Sequence, residues 1–162
     1  MNKNYITIKF DIPEWNEYIS NYILNEDLHE KGLEKNVHIT LLYGINNEVE
    51  LDEVKKYLLP LQNLKVEFDK IDIFENDDFD VVKFEVSCKE LNKINSDLRN
   101  NLSYKNKYDK YEPHATIAYV KKGTGVKYIK ELEESFVLYP SEYEYVTYDS
   151  SNKKIKTNIE IY

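Results

Sequence analysis

Two short stretches of the chain carry residues that could perform acid and base chemistry. NVHITLLYG places His38 two residues before Thr40, and EPHATIAYV places His114 two residues before Thr116. Both runs are otherwise rich in β-branched and apolar residues, which is typical of buried strands. Because alternate side chains of a strand share a face, each histidine is expected to point the same way as its threonine.

The chemistry that these four residues could support is cleavage of a phosphodiester. Two imidazoles can take a proton from an attacking hydroxyl and give one to a leaving oxygen near neutral pH. Threonine hydroxyls can donate hydrogen bonds to phosphate oxygens as negative charge develops there. No metal is expected, because Asp109 and Glu112 lie near His114 but nothing comparable accompanies His38.

The two motifs belong to a longer internal repeat with an offset of 76 residues. Tyr43 and Tyr119 follow the two threonines at the same distance, and VELDEVKKYL and GVKYIKEL each begin 11 residues after a histidine. Such a duplication predicts two similar lobes with the motif strands adjacent at the centre. The shared face is then expected to carry the four polar side chains beside Leu42 and Ala118, with both tyrosines pointing away.

Periodicity, caps and turns predict the remaining elements. Helices are expected from about Trp15, capped by Asp11 with Pro13 in the first turn, over 51–58, from about Leu91 to Leu102, and, shorter, near 126–133. Strands are expected at 5–10, 37–43, 64–74, 79–86, 113–120, 135–148 and 154–161, with a polar loop at 25–36. This mixture favours an α+β protein over an alternating parallel βαβ array.

Composition limits the class of protein and of partner. The 162 residues suit one domain, so we treat 1–162 as a single domain with an internal duplication. A net charge of −8, from 22 Lys plus Arg against 30 Asp plus Glu, opposes binding of long nucleic acids. The single cysteine, Cys88, cannot form an internal disulfide, and neither a signal peptide nor a membrane-spanning apolar run is evident, so a cytoplasmic protein is expected.

Two His-x-Thr motifs in a duplicated chain of this length resemble the 2H phosphoesterase superfamily over nearly the whole sequence. The resemblance implies a bilobal α+β fold, with two pseudo-symmetric antiparallel-sheet lobes and covering helices around a central cleft. It implies catalysis without a cofactor, with His38 and His114 as acid and base and Thr40 and Thr116 as phosphate ligands. Members act on 2',3'-cyclic phosphates, ADP-ribose cyclic phosphates, 2'-5' linkages or cyclic oligonucleotides.

Within that superfamily, the stretches HITLLYGI, FENDDFDVVKFEV and KYEPHATIAYVKKG are most similar to the phage anti-CBASS phosphodiesterases. Those enzymes destroy the cyclic di- and trinucleotide signals of bacterial antiphage defence. The resemblance therefore implies a cyclic oligonucleotide substrate, and the cytoplasm of the bacterial host as the location of a phage-encoded protein.

Four further residues are candidates for contact with a nucleotide. Tyr111 ends the stretch rich in lysine and tyrosine before the second motif, and Lys121 follows that motif, where bases could stack on tyrosines while lysines meet phosphate. Glu142 and Tyr148 share a face of the strand that the duplication places beside the second motif strand. His29 is interpreted as a solvated loop residue, with a lid role as the alternative.

Two other functions stay open at this point. One is RNA-end processing at a 2',3'-cyclic phosphate or a 2'-5' linkage, which the acidic net charge disfavours. The other is a protein that sequesters a cyclic nucleotide, although such a protein needs no pair of acid and base. Base preference, ring size, oligomeric state and the division of roles between the histidines are not determined by the sequence.

Overall fold

The computed structural model describes residues 2–161 and contains, within them, nine strands in one antiparallel sheet and three α-helices. The helices are α1 (Trp15–Tyr22), α2 (Leu51–Leu58) and α3 (Lys89–Asn101). The strands are β1 (Asn4–Phe10), β2 (Leu28–Leu33), β3 (Val37–Ile45), β4 (Val66–Glu75), β5 (Phe79–Ser87), β6 (His114–Lys121), β7 (Lys130–Leu138), β8 (Glu142–Tyr148) and β9 (Lys154–Ile159). The predicted α+β class is confirmed.

The order of strands reflects the internal repeat. The sheet runs β7-β4-β5-β6-β3-β1-β8-β9, with β2 also paired to β6. The centre of the sheet is the boundary between β6 and β3. Counting outward from it, β5 holds the position in one half that β1 holds in the other, β4 that of β8, and β7 that of β9. β1 pairs Lys9 with His38, and β5 pairs Glu85 with His114, each residue of the second pair 76 positions after its counterpart. The two motif strands are therefore adjacent at the centre, as the repeat predicts.

Each half of the sheet is completed by a strand from the other half of the sequence. β4 follows the first motif in the chain but lies beside β5, and β8 follows the second motif but lies beside β1. The expectation that Glu142 and Tyr148 lie on a strand beside the second motif strand is therefore wrong. Their strand, β8, pairs with β1 and β9.

Two local predictions are also wrong. The helix expected near 126–133 is a 3-10 turn, Gly125–Tyr128, followed directly by β7. Pairing with β4 and stacking of Phe136 on Phe68, with ring centres 5.0 Å apart, override the weak helical pattern there. The polar loop at 25–36 contains β2, which pairs with β6.

The start of α1 differs from its prediction in a smaller way. Asp11 does not cap the helix: Glu14 precedes it in a left-handed conformation (φ 64°), and the Trp15 N–H donates to the Ile12 carbonyl at 3.2 Å. α2, in contrast, begins with a reciprocal capping box between Glu50 and Glu53.

One face of the sheet forms the core. Ile6, Ile8 and Ile39 are fully buried there in one cluster with the apolar sides of the helices, such as Ile19 of α1 and Leu91 of α3. The opposite face is left to the polar side chains of β1, β3, β5 and β6. No helix within residues 2–161 has the length and apolar character to cross a membrane.

Gly44, near the end of β3, is held in a conformation that needs glycine. Its φ is +90°, and an added Cβ would clash with the Lys105 carbonyl oxygen, which belongs to the loop that pairs with this strand. We expect Gly44→Ala to lower the free energy of unfolding by about 3 kcal/mol, measured by chemical denaturation.

Gly32→Ala is the matched control. Gly32 also has a positive φ, +71°, but an added Cβ meets nothing within 4 Å. In this variant the free energy of unfolding should fall by only about 1 kcal/mol, the cost of a positive φ at a residue with a Cβ. Equal losses in the two variants would show that the close approach of Lys105 does not matter.

Candidate active site

The two motifs meet where β3 and β6 pair. The register places the middle residue of one motif, Ile39, opposite the middle residue of the other, Ala115. Because the pairing is antiparallel, each histidine lies opposite the threonine of the other motif, with Cβ atoms about 5 Å apart. One face of the sheet therefore brings together His38, Thr40, His114 and Thr116, which we call the quartet.

Both histidines are oriented in the same way. The Nδ1 of His38 lies 3.2 Å from the Asn36 carbonyl, and the Nδ1 of His114 lies 2.8 Å from the Glu112 carbonyl. A carbonyl can only accept a hydrogen bond, so Nδ1 carries a proton in both rings. This leaves each Nε2 as the ring nitrogen that could exchange a proton with a bound molecule.

The environment of His114 favours its neutral form. Burial lowers its pKa below the ordinary value, and the positive charges of Lys83 and His38 act in the same direction. Phe74 of β4 packs its ring edge-on to the imidazole, with centres 4.8 Å apart. Sequence reasoning missed Phe74, because its place in the site depends on β4 crossing to the second half of the sheet.

A β-bulge follows each threonine of the quartet. The extra residues are Leu41 in β3 and Ile117 in β6, again 76 positions apart. A bulge inserts one residue, so the side chains that follow it face the opposite side from that expected by simple alternation.

The expected orientations of four residues are wrong for this reason. Tyr43 and Tyr119 lie on the same face as the quartet, since their partners in the neighbouring strands share that face. Leu42 and Ala118 instead lie on the core face and are fully or almost fully buried. The sequence carries no local signal for the bulges.

The bulges are held by hydrogen bonds from outside the strand pairs. The Leu41 carbonyl accepts a hydrogen bond from Asn95 Nδ2 at 2.7 Å, and the Ile117 carbonyl accepts one from the Glu34 N–H at 2.9 Å. Asn95 is a buried polar residue of α3 that sequence reasoning also missed. These bonds satisfy carbonyls that the bulges remove from the sheet ladder.

Aromatic rings flank the quartet on both sides. On one side the rings of Tyr43 and Tyr5 lie 6.3 Å apart; these two residues are the first platform. On the other side Tyr119 and Phe79 lie 5.5 Å apart and are the second platform. Lys31 Nζ lies 4.6 Å from the Phe79 ring centre and 5.3 Å from that of Tyr119. Both platforms can stack a planar ring.

Two of the four further candidates have their polar groups engaged elsewhere. The Tyr111 hydroxyl donates to the Thr40 carbonyl at 2.9 Å, and burial raises the pKa of this tyrosine. Lys121 Nζ donates to the Glu26 carbonyl at 2.9 Å. Tyr111 therefore supports the backbone of the quartet from behind, and Lys121 holds the segment before β2.

The other two candidates are the first and last residues of β8. Glu142 Oε1 lies 3.4 Å from Lys9 Nζ, and Lys9 is the β1 residue opposite His38. Tyr148 is at the end of β8, next to Tyr5 of the first platform. His29 is half-buried, with its ring 5.2 Å from Phe79, so it borders the second platform.

Other features of the molecule do not contain the quartet. A groove of about 560 Å³, lined by Trp15, Tyr18, Phe84 and Phe136, lies on the core side of the sheet. In the part of the chain that the structure describes, no group of three or more His, Cys, Asp or Glu side chains is arranged to hold a metal ion.

The sequence profile of the 2'-5' RNA ligase superfamily matches residues 17–145. The chain belongs to this superfamily. It is the 2H phosphoesterase family that the paired motifs indicate, and its members are phosphodiesterases, so this 2H phosphoesterase is an enzyme of the phosphodiesterase type. None of the curated proteins compared with it matches the sequence.

Solved structures share the fold of this 2H phosphoesterase at low sequence identity. TT0787 of Thermus thermophilus has a TM-score of 0.65 and 14% identity, over 98% of this chain and 95% of that one. Usb1 of Kluyveromyces marxianus with uridine monophosphate has a TM-score of 0.62 and 8% identity, over 98% of both chains. E. coli LigT complexed with 3'-AMP has a TM-score of 0.57 and 12% identity, over 98% of this chain and 95% of that one.

The packing of Phe74 on His114 makes a testable contribution to the pKa of that histidine. The imidazole should titrate below the ordinary value of about 6.5 in NMR spectra of the wild-type protein. In Phe74→Ala water reaches the ring and stabilises its charged form, so the pKa should rise toward 6.5. Phe74→Leu, which keeps an apolar cover, should give a smaller rise. A wild-type value above 6.5, or no change in Phe74→Ala, contradicts this account.

Proposed function

We propose that this 2H phosphoesterase is a metal-independent phosphodiesterase that cleaves 3'-5' phosphodiester bonds of cyclic di- and trinucleotide second messengers, and that it thereby counters bacterial CBASS antiphage defence. The observation that carries the proposal is the quartet: two imidazoles, each with its Nδ1 bonded to a backbone carbonyl so that Nε2 is left for the substrate, and two hydroxyls on the same face. The similarity of three sequence stretches to the anti-CBASS enzymes supports the choice of substrate.

The reaction is transfer of the phosphoryl group to the neighbouring 2'-hydroxyl. His114, neutral because burial lowers its pKa, takes the 2'-hydroxyl proton at Nε2 as the new O2'–P bond forms. His38, protonated, gives its proton to the 5'-oxygen as the P–O5' bond breaks. Thr40 and Thr116 donate hydrogen bonds to the non-bridging oxygens. The products are a 2',3'-cyclic phosphate end and a free 5'-hydroxyl.

The two aromatic platforms support an internal linkage as the substrate. A phosphodiester between two nucleosides carries a base on each side, whereas a terminal cyclic phosphate carries one. The first and second platforms lie on opposite sides of the quartet, so each can stack one of the two bases. A cyclic dinucleotide with two identical bases and two 3'-5' linkages could bind in either orientation, because its two halves are related by symmetry.

Charge supports a small ligand over a long one. The net charge of −8 disfavours a long polyanion, while Lys31 and the lysines of the stretch SYKNKYDKYE place positive charge near the platforms. Tyr148, beside the first platform, and Glu142, beside the Lys9 that lies opposite His38, are proposed contacts with the substrate. Tyr111 and Lys121 are proposed to act on the site through the backbone that they hold.

The histidines and threonines should differ in how much activity their loss removes. His38→Ala and His114→Ala should each lower kcat by about 10²-fold or more, because each removes one proton-transfer step. Thr40→Val and Thr116→Val should lose about 10 to 100-fold through one missing donor. Circular dichroism should match the wild type in all four variants. Full turnover in either histidine variant rules out the two-histidine mechanism.

The nucleophile can be identified with a panel of substrates followed by chromatography in excess EDTA. Cyclic di- and trinucleotides should be cut, and the first product should carry a 2',3'-cyclic phosphate, because the tethered 2'-hydroxyl attacks. An all-deoxy cyclic dinucleotide should bind and inhibit without being cut. Equal cleavage of the ribo and deoxy rings refutes internal attack.

The same panel tests the alternatives. It includes 2',3'-cyclic mononucleotides and 2'-5' oligoadenylate, and the LigT and Usb1 structures, which contain 3'-AMP and uridine monophosphate, support the inclusion of small nucleotides. Cleavage of these alone would replace the proposed substrate class. Binding of a cyclic dinucleotide without any cleavage would identify a sequestering protein, and loss of activity in EDTA would move the chemistry to a metal.

A further inference from the structure

Lys83 of β5 is a buried cation on the face of the quartet that the two-histidine reaction does not use. Its side chain is 3% exposed, and its Nζ lies 3.2 Å from Glu85 Oε1. Burying an ammonium group is costly unless its charge is compensated. Glu85 is partly exposed and is shared with Lys70 Nζ at 3.5 Å, and Asp72, opposite Lys83 on β4, lies 3.9 Å from the same Lys70 Nζ, so both carboxylates near Lys83 are shared with a second cation.

The register places Lys83 next to the phosphate position. Lys83 lies directly opposite Thr116, and Glu85 lies directly opposite His114. Opposed side chains in adjacent strands start about 5 Å apart, and the four-carbon stem of lysine spans more than that. The ammonium can therefore reach a phosphate oxygen that Thr116 holds.

Phe74 connects Lys83 to the reacting groups. The Lys83 Nζ lies 4.0 Å from the centre of the Phe74 ring, and the same ring packs against His114. The ring excludes water from that side of the ammonium, which strengthens the effect of its charge. Consistent with this closeness, the positive charge of Lys83 helps to lower the pKa of His114.

The donors of Lys83 are only partly used. An ammonium has three N–H donors, and within residues 2–161 the one hydrogen bond of Lys83 is to Glu85. The symmetry-equivalent position in the first half is Thr7, opposite Thr40, which is almost fully buried and donates to the Ile39 carbonyl at 3.3 Å. At this position, therefore, only the half of the sheet around β6 carries a lysine.

We propose that Lys83 is a third phosphate-binding group of this enzyme, whose ammonium contacts a non-bridging phosphate oxygen beside Thr116 and stabilises the negative charge that builds up in the transition state. This inference rests on the proposed phosphodiesterase function. It adds a buried positive charge beside Thr116, whereas the quartet itself supplies only hydroxyls and titratable imidazoles.

The first test compares two substitutions that each remove one cation partner of Glu85. Lys83→Met should lower kcat on a cyclic dinucleotide by about 10² to 10³-fold, with a smaller change in KM. Lys70→Met, at a half-exposed position, should stay within threefold of the wild type. Lys83→Arg, which keeps the charge, should recover part of the loss. Normal kcat in a folded Lys83→Met variant, with only a lower Tm, would overturn the proposal.

The pH profile provides a readout that a purely structural role does not move. The charged and titratable groups that face His114 are Lys83, Glu85, Glu112 and His38, with Lys70 and Asp72 behind them on β4 and Lys9 beyond His38 on β1. Removing Lys83 removes one positive neighbour, so the pKa of His114 should rise and the acid limb of kcat/KM should move to higher pH. If the acid limb of kcat/KM lies at the same pH in Lys83→Met as in the wild type, Lys83 does not contact the reacting groups.

A second measurement needs no substitution and no turnover. Titration of the wild-type protein with inorganic phosphate should shift the NMR signal of the Lys83 ε-methylene group and leave that of Lys70 unchanged. An unchanged Lys83 signal at saturating phosphate refutes the contact even if Lys83→Met does not fold. If the wild-type protein cuts no member of the substrate panel, the proposed function fails, and this titration still decides whether Lys83 binds phosphate.

Discussion

The contact between Ile39 and Ala115 joins the two halves of the sheet, and the site depends on its register. The two motif strands run together only around this pair. Beyond it they separate: β6 continues beside β2, and the end of β3 is met by a bridge between Ile45 and Tyr104. The quartet therefore sits where the two strands begin to diverge. A slip of one residue in either strand would turn the histidine and threonine of that strand to the core face, away from the other pair.

The backbone around the quartet is nearly symmetric, but its charged neighbours are not. Both histidines bond a carbonyl two residues earlier, and both threonines precede a bulge. At equivalent positions, however, Lys9 corresponds to Glu85 and Thr7 corresponds to Lys83. Two identical surroundings could not decide which imidazole is charged and which is neutral, whereas these unlike neighbours distinguish the two rings.

The sequence predicts the quartet because its signal is local and repeated. The His-x-Thr spacing determines which side chains share a face, and the offset of 76 residues determines which strands meet. The same signals do not predict that Phe74 and Lys83 belong to the site, or that Tyr43 and Tyr119 lie on the quartet face. Their positions depend on which strand crosses to which half and on two bulges, and both are decided by tertiary packing. The helix predicted near 126–133 is absent for the same reason, since tertiary packing decides the structure of that segment.

The crossing of β4 and β8 has a consequence for how the molecule can be divided. The β6 half of the sheet contains β4 from the first half of the sequence, and the β3 half contains β8 and β9 from the second, so neither half-chain can complete its own hydrogen-bond ladder. A single copy of the repeat would leave open edges on both of its central strands, and it could close them only by exchanging its last strand with a second copy. The pseudo-symmetric topology is therefore that of a strand-exchanged dimer whose two copies are joined by one peptide connection.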